Sequence, residues 1–144
     1  MADRYAIVVA RFYVDLADRL VASARGVFES DGAREIDEFD VPGAFELPLA
    51  ASYAAASGRY RGIACLGAVI RGETDHYDYV CAEAARGIQD VQLRTGVPCA
   101  FGVLTVNSME QALERSGGRR RDHGAQAAHA VLTLAKLRDT LATG

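Results

Sequence analysis

The sequence predicts an α/β protein in which a four-stranded parallel sheet lies between two layers of helices, a three-layer αβα sandwich. Short apolar runs alternate along the chain with longer segments whose apolar residues recur at helical spacing. Strands that alternate with helices form parallel sheets covered on both faces by the crossover helices. At 144 residues the chain is long enough for one such unit, and we expect a single domain over residues 1–144.

The first three predicted elements are a strand, a helix and a second strand. Residues 5–10 are a short β-rich run, which indicates a central strand. Apolar residues then recur every three or four positions, which predicts a helix over 14–30 with one face on the sheet, ended by Asp31-Gly32. Residues 35–41 carry several charges among their apolar positions. They therefore predict a more exposed strand at an edge of the sheet.

Two helix–strand units follow. Pro42-Gly43 breaks the chain, and the alanine-rich segment 44–57 predicts a helix, with Pro48 tolerated only in its first turn. The apolar run 62–70 predicts the third strand. Residues 76–95 predict a long helix that ends at Gly96.

The last part of the chain adds one strand and two helices. Residues 97–106 are an apolar strand, and the spacing of Ser108 and Gln111 is that of a capping box, which predicts a short helix over 109–115. Residues 124–141 predict the final helix. The whole order indicates a flavodoxin-like arrangement. On the final helix the residues expected to face inward are Ala127, Ala128, Val131, Leu134, Ala135 and Leu141.

The size of the sheet indicates an oligomer. Four strands are few for a lone domain, and the alanine-rich helices leave small side chains on several faces. We therefore expect subunits that complete each other's cover.

Composition excludes several kinds of partner. The net charge is −3, and the short basic run Arg119-Arg120-Arg121 lacks the aromatic platforms of a nucleic-acid groove, so we expect no nucleic acid. The first apolar run is too short to span a membrane and has no secretory cleavage pattern. We expect no membrane association and a cytoplasmic enzyme.

The cysteines and histidines do not predict a metal site. Cys65, Cys81 and Cys99 are odd in number and stand in apolar surroundings, which favours buried reduced thiols. No CxxC pair occurs, and the three histidines do not have a zinc spacing.

The segment 67–80 carries the strongest chemical signal. An apolar run ends in a charged loop, and His76 stands where the next helix begins. Open α/β sheets bind ligands at the carboxyl ends of their strands. A histidine close to Arg71 and Thr74, with three carboxylates nearby, indicates proton transfer beside an anionic ligand. The alternative is a polar loop whose histidine only caps a helix.

Four loops meet at that edge of the predicted sheet. Each polar or aromatic residue there has an explanation without function: Phe12 as core, Glu46 favoured by a helix dipole, Thr74 as an N-cap. Arg115 is likewise favoured at a helix C-terminus. Their convergence favours a binding site. The loops are residues 11–13, 42–46, 71–76 and 105–107.

Common cofactor and nucleophile motifs are missing from the sequence. There is no GxGxxG after the first strand, no phosphate-binding GxxxxGK[ST] and no GxSxG elbow. The remaining chemistry is a histidine that moves protons, an aromatic surface and a helix N-terminus able to hold phosphate.

Several motifs, in the same order and with similar spacing over almost the whole chain, resemble one family. They are Arg11-Phe12 and residues 41–48, 67–80, 95–105, 110–115 and 124–128. In these positions the chain is similar to the 6,7-dimethyl-8-ribityllumazine synthase family. The resemblance implies the penultimate step of riboflavin synthesis, in which a ribitylamino-pyrimidine condenses with 3,4-dihydroxy-2-butanone 4-phosphate and phosphate leaves. It implies no cofactor and no metal.

The resemblance also implies roles for particular residues. His76 is the proton shuttle, Arg115 grips the phosphate, and Phe101 approaches from a neighbouring subunit, because sites in the family lie between the subunits of a pentamer. Phe12 stacks on the pyrimidine. The other substrate-binding positions are Ala44, Phe45 and Glu46 for the ribityl chain and ring, Ala68, Val69 and Ile70 for backbone contacts to the pyrimidine, and Glu73 and Thr74 for the phosphate.

Three positions depart from the family pattern. Tyr13 stands where asparagine is frequent, Asp75 where proline or threonine is common, and His123 where a lysine often stands. We expect a pentamer, with a decamer or a 60-subunit capsid as alternatives. The alternative functions are a non-catalytic flavin- or lumazine-binding protein, a purely structural ring and a flavodoxin-like receiver domain.

Overall fold

The computed structural model describes residues 3–117 and 121–143. Every predicted strand and helix is present among them. Arg119 and Arg120 of the basic run lie outside the described residues. The elements are β1 (Arg4–Ala10), α1 (Val14–Ser30), β2 (Glu35–Val41), α2 (Leu47–Ala56), β3 (Gly62–Ile70), α3 (His76–Thr95), β4 (Cys99–Val106), α4 (Met109–Arg115) and α5 (His123–Thr143).

The helix predicted over 44–57 begins differently from the expectation. A 3₁₀ turn over Ala44–Glu46 precedes α2, and Pro48 is the second residue of the α-helix. Proline has no backbone N–H to donate, so it fits the first turn of an α-helix, where that donor has no intrahelical acceptor.

The sheet is parallel throughout, with strand order β2-β1-β3-β4. The predicted edge position of β2 is confirmed. In this order the chain passes to one side of β1 to form β2 and to the other side to form β3. The carboxyl ends of β1 and β3 therefore form the point at which a doubly wound sheet leaves a crevice.

Two helical layers cover the sheet, which confirms the three-layer architecture. Buried residues of α1, α4 and α5 pack with one set of alternating strand residues, including Ile7 and Leu66. Buried residues of α2 and α3 pack with the other set, including Val8 and Cys65. Alternate residues of one strand thus belong to two separate cores, as the period of two in a strand requires.

Two residues of α5 do not face inward as expected. Leu134 is 37% exposed and Leu141 is 71% exposed, whereas Leu132 is buried. Leu134 lines an open cavity beside β4, and Leu141 lies in the last turn of the helix. Helical spacing identifies one face of a helix but not how far the sheet beneath it extends.

The three cysteines are free thiols. Cys65 and Cys99 are buried, as predicted, whereas Cys81 is half-buried. Burial raises the pKa of Cys99 to about 12 and raises that of Cys65 as well, so both stay protonated near neutral pH. Among the described helices, none combines the length and the apolar character needed to cross a membrane.

Candidate active site

A cavity of about 570 Å³ lies at the carboxyl ends of β1 and β3. It occupies the crevice that the strand order creates. Residues from the loop after β1, the turn before α2, the end of β3 and the start of α3 all line it. Nine of the twelve predicted site residues are among them: Phe12, Ala44, Phe45, Glu46, Ala68, Val69, Ile70, Thr74 and His76.

Phe12 is not a core residue. Its side chain is 72% exposed at the cavity, and its ring stands edge-on to Tyr13 with 4.9 Å between the centroids. Tyr13 is half-buried against the core under α1, and its carbonyl accepts the backbone N–H of Ala17. With most of its side chain exposed at the cavity, Phe12 is able to stack on a flat ligand, and the Tyr13 ring lies nearly perpendicular to it.

Arg11 anchors the loop that carries Phe12. Its guanidinium pairs with Asp18 of α1, and donates to Glu38 (2.6 Å) and Asp40 (3.1 Å) of β2. The hydrogen bond to Asp18 raises the pKa of Arg11 most, and the two β2 carboxylates add to this against a lowering by burial. With three carboxylates around it, Arg11 holds structure and is not available to bind an anion.

The turn before α2 brings Ala44, Phe45 and Glu46 to the cavity. Ala44 is buried, while Phe45 and Glu46 are exposed. The Glu46 carboxylate accepts the Gly43 backbone N–H through Oε1 at 3.0 Å. The carboxylate thus closes its own turn and also faces the cavity.

The end of β3 offers backbone groups to the cavity. The ladder between β1 and β3 ends at Leu66, whereas the ladder between β3 and β4 continues to Ile70. Over Ala68, Val69 and Ile70 the side of the strand towards β1 therefore borders the cavity rather than another strand. Backbone N–H and C=O groups in that position suit the polar edge of a heterocycle.

His76 and Thr74 lie together at the start of α3. The His76 backbone N–H donates to the Thr74 hydroxyl oxygen at 3.3 Å. The expectation that Thr74 is the N-cap was wrong, because Asp75 is the N-cap residue of α3 and Thr74 precedes it. Thr74 and His76 are both exposed and line the cavity. The imidazole is therefore accessible to a bound substrate, close to the N-terminus of a 20-residue helix.

Sequence reasoning assigned no role to Tyr77 and Tyr79, which also line the cavity. Tyr77 is half-buried and Tyr79 is 70% exposed. Burial raises the pKa of Tyr77 above its ordinary value, so its hydroxyl stays protonated near neutral pH. The sequence did contain a signal for these two tyrosines. Both follow His76 within the first turn of the predicted helix 76–95, and that turn begins next to the predicted site.

Three predicted residues do not line this cavity. Glu73 is exposed in the loop between two residues that do. Phe101 pairs with Cys65 in the sheet, five residues before the end of β4, and so lies about 16 Å along the strand from the rim. Arg115 ends α4, where its Nη1 donates to the Gln111 carbonyl oxygen at 3.2 Å.

Phe101 borders a second cavity of about 270 Å³ between β4, α3 and α5. His123 lines the same cavity, and its Nδ1 lies 3.2 Å from the Arg115 carbonyl oxygen. Phe101 thus lies on the β4–α5 side, the Arg115 carbonyl contacts the first residue of α5, and neither residue lines the cavity that holds His76.

Residues 3–117 and 121–143 contain no group of three or more histidine, cysteine, aspartate or glutamate side chains able to hold a metal ion.

Comparison with known proteins gives consistent results. The family model of 6,7-dimethyl-8-ribityllumazine synthase matches residues 2–139. A protein of that name from Sulfurovum sp. (strain NBC37-1) is 47% identical over 140 residues, covering 96% of this chain and 90% of the relative. One from Desulfatibacillum aliphaticivorans is 46% identical over 136 residues, covering 93% of this chain and 88% of the relative.

Proposed function

The chain belongs to the 6,7-dimethyl-8-ribityllumazine synthase family, and we propose that the cavity at the ends of β1 and β3 is its active site. The enzyme is a transferase of riboflavin biosynthesis. It condenses 5-amino-6-(D-ribitylamino)uracil with 3,4-dihydroxy-2-butanone 4-phosphate to give 6,7-dimethyl-8-ribityllumazine, phosphate and water. The observation that carries the assignment of the site is that nine residues from four separate chain segments share one cavity.

The pyrimidine binds between an aromatic ring and a strand end. Phe12 presents a free face for stacking, and the last residues of β3 present backbone donors and acceptors to the edge of the ring. Ala44, Phe45 and Glu46 hold the ribityl chain and the ring, and the Glu46 carboxylate accepts the hydroxyl hydrogens. A carboxylate is suited to this because it only accepts hydrogen bonds when ionised.

The phosphate binds near the start of α3. The helix N-terminus directs backbone N–H groups and positive potential at this end of the cavity, which favours an anion. Thr74 lies at this terminus and Glu73 precedes it. Glu73, being acidic, contributes through its backbone rather than its carboxylate.

His76 moves protons between the two substrates. Formation of the imine and loss of phosphate both require protons to be added and removed near neutral pH, which an imidazole does readily. Placing two reactants side by side can itself lower a barrier by roughly 7–11 kcal/mol. Most of the catalysis therefore comes from positioning, and His76 adds to it.

A neighbouring subunit completes the site. Leu49 and Tyr53 lie one turn apart on α2 and are each more than half exposed, as is Phe45, which precedes the helix and lines the cavity. Phe101 and Leu134 are exposed on the β4–α5 side. Two different surfaces that meet head to tail build a closed ring when the rotation between neighbouring subunits closes on itself. We propose a pentamer in which Phe101 and Arg115 of one subunit reach the cavity of the next.

Two measurements test these proposals. Mixing the two substrates with the protein should produce the absorbance of the lumazine product; binding without turnover would instead indicate a lumazine-binding protein. The native mass should be five times that of the chain of 15.4 kDa. A cytoplasmic location stays a prediction.

A further inference from the structure

We propose that Arg71 and Tyr77 are positioning residues, which together hold the segment bearing Thr74 and His76 in the geometry that the reaction needs. The proposal rests on the function and site proposed above. The family resemblance assigned neither residue a role, and the sequence had indicated Arg71 only as a cation near an anionic ligand.

Arg71 connects three parts of the rim. Its guanidinium carbon lies 4.2 Å from the centroid of the Tyr77 ring, a cation–π arrangement. Its Nε donates to the Asn107 side-chain oxygen at 3.0 Å, and its Nη1 is 3.6 Å from Asp78. Its backbone N–H donates to the Val106 carbonyl oxygen at 2.9 Å.

Asn107, which accepts the hydrogen bond from Arg71, is itself held in place. The Asn107 backbone N–H donates to the Gln111 side-chain oxygen at 2.7 Å, and the Gln111 backbone N–H donates to the Ser108 hydroxyl at 3.2 Å. The turn between β4 and α4 is thus tied to the first turn of α4. Arg71 is therefore fixed against an ordered part of the chain.

Tyr77 connects Arg71 to the wall of the cavity. Its ring packs against the core formed by α2 and α3, and it also lines the cavity. The Cys81 and Thr105 side chains both affect the pKa of its hydroxyl. The guanidinium therefore lies over a ring that is already held by packing against the core.

His76 depends on this support because its own segment is exposed. Every residue from Arg71 to His76 is exposed to solvent, and the side-chain hydrogen bond within the turn runs from the His76 backbone N–H to Thr74. Arg71 stands at the start of the segment and Tyr77 at its end. Together they fix both ends of the turn that carries the proton shuttle.

Loss of this support should lower turnover more than binding. A displacement of about 1 Å at a reacting group can cost roughly 100-fold in rate. We expect kcat to fall by about 10- to 100-fold in Arg71→Met and in Tyr77→Leu, with the KM of each substrate changed by less than about threefold. A direct phosphate ligand would behave differently, since its removal raises the KM of the phosphate-bearing substrate.

The experiment compares single and double variants of the full chain. Tyr77→Phe keeps the ring beneath the guanidinium and should retain most of the turnover. Arg71→Met combined with Tyr77→Leu should be no slower than the slower single variant, because both remove one shared interaction. Arg86→Met is the matched control: Arg86 lies on the exposed surface of α3 and pairs with Glu83, so its kcat should be that of the wild type. If Arg71→Met does not fold, Arg71→Lys takes its place, with turnover expected between wild type and Tyr77→Leu.

Three outcomes would overturn the inference: unchanged kcat in both single variants, a raised phosphate-substrate KM at unchanged kcat in Arg71→Met, or multiplicative losses in the double variant. Each of these requires an active wild-type enzyme. Absence of lumazine formation by the wild type would refute the proposed function instead, so the two failures can be told apart.

Discussion

The Glu46 carboxylate accepts the backbone N–H of Gly43 at 3.0 Å while lining the same cavity as His76. The residue therefore has a structural role and a proposed binding role at once. Sequence reasoning had treated these as alternatives. Substitutions that remove one role and keep the other can separate them.

Glu46→Gln should keep the fold and weaken substrate binding. The amide oxygen can still accept the Gly43 N–H, so the free energy of unfolding in urea should change by less than about 0.5 kcal/mol. The amide oxygen still accepts a hydrogen bond from a ribityl hydroxyl, but an uncharged one that contributes about 0.5–1.5 kcal/mol instead of about 1.5–3 kcal/mol. The KM for the ribitylamino-pyrimidine should therefore rise roughly five- to tenfold.

Glu46→Ala provides the comparison, because it removes both roles. It should raise the same KM and also lower the free energy of unfolding by about 1 kcal/mol. Equal KM values for wild type and Glu46→Gln would show that the carboxylate serves the turn alone.

Phe12→Ala should weaken binding of the pyrimidine without destabilising the protein. Phe12 is exposed at the cavity, so its removal leaves no internal void. Stacking of a base on an aromatic ring contributes about 1–3 kcal/mol, so the Kd measured by calorimetry should rise roughly 10- to 100-fold. Phe28 is the matched control, since it is fully buried and stacks on Tyr5. Phe28→Ala should cost about 3–5 kcal/mol of stability. An unchanged Kd in Phe12→Ala would show that Phe12 does not bind the pyrimidine.

His76→Ala should stay folded and keep residual turnover. Its side chain is exposed, so thermal unfolding should be that of the wild type. Acid–base groups typically contribute roughly 100- to 10,000-fold, and we expect the lower end of that range because positioning provides most of the catalysis. Single-turnover kinetics would measure it. His129→Ala, an exposed histidine on α5, should have no effect. An unchanged rate in His76→Ala would show that protons are moved by another group.

Much of this site was predictable because it follows from local order in the sequence. The loss of apolar residues after Ile70 predicted the end of β3, and the start of α3 at His76 is as predicted. The crevice then follows from the strand order. The partners of Arg11 were not predictable in the same way. Asp18, Glu38 and Asp40 lie 7 to 29 residues away in sequence, and only the packing of α1 beside β2 brings them together.

Stability should fall at alkaline pH because of Tyr60. Burial, together with the hydrogen bond that its hydroxyl donates to Asp37 at 2.6 Å, raises the pKa of Tyr60 to about 12. In the unfolded chain the phenol loses its proton near its ordinary pKa of about 10. Between these values the unfolded state binds fewer protons, so the stabilisation that is complete below pH 10 is lost as the pH rises towards 12.

Urea unfolding across that pH interval measures this effect. Tyr60→Phe removes the titrating group, so its free energy of unfolding should decline less steeply than that of the wild type between pH 10 and 12. If the free energies of unfolding of the two proteins declined in parallel, another group would be responsible for the loss of stability at alkaline pH.

Arg115→Ala should mainly weaken binding of the phosphate-bearing substrate. A guanidinium fork pairs with two phosphate oxygens, and hydrogen bonds to charged groups contribute about 1.5–3 kcal/mol. The KM for 3,4-dihydroxy-2-butanone 4-phosphate should rise at least about tenfold, with little change for the pyrimidine. If only pyrimidine binding suffered, the role assigned to Arg115 would be wrong.

Mixing two impaired variants should raise activity if Arg115 acts in the neighbouring subunit. Neither Arg115 nor Phe101 lines the cavity that holds His76 in its own chain, and the Arg115 carbonyl contacts His123, which shares a cavity with Phe101. When His76→Ala and Arg115→Ala subunits are unfolded, mixed in equal amounts and reassembled, about a quarter of the sites should pair an intact His76 with an intact Arg115 of the adjoining copy. Turnover measured at low concentration of the phosphate substrate should then exceed that of either variant reassembled alone. If both residues served a site within one chain, every subunit in the mixture would lack either His76 or Arg115. The mixture would then give only the average of its two components.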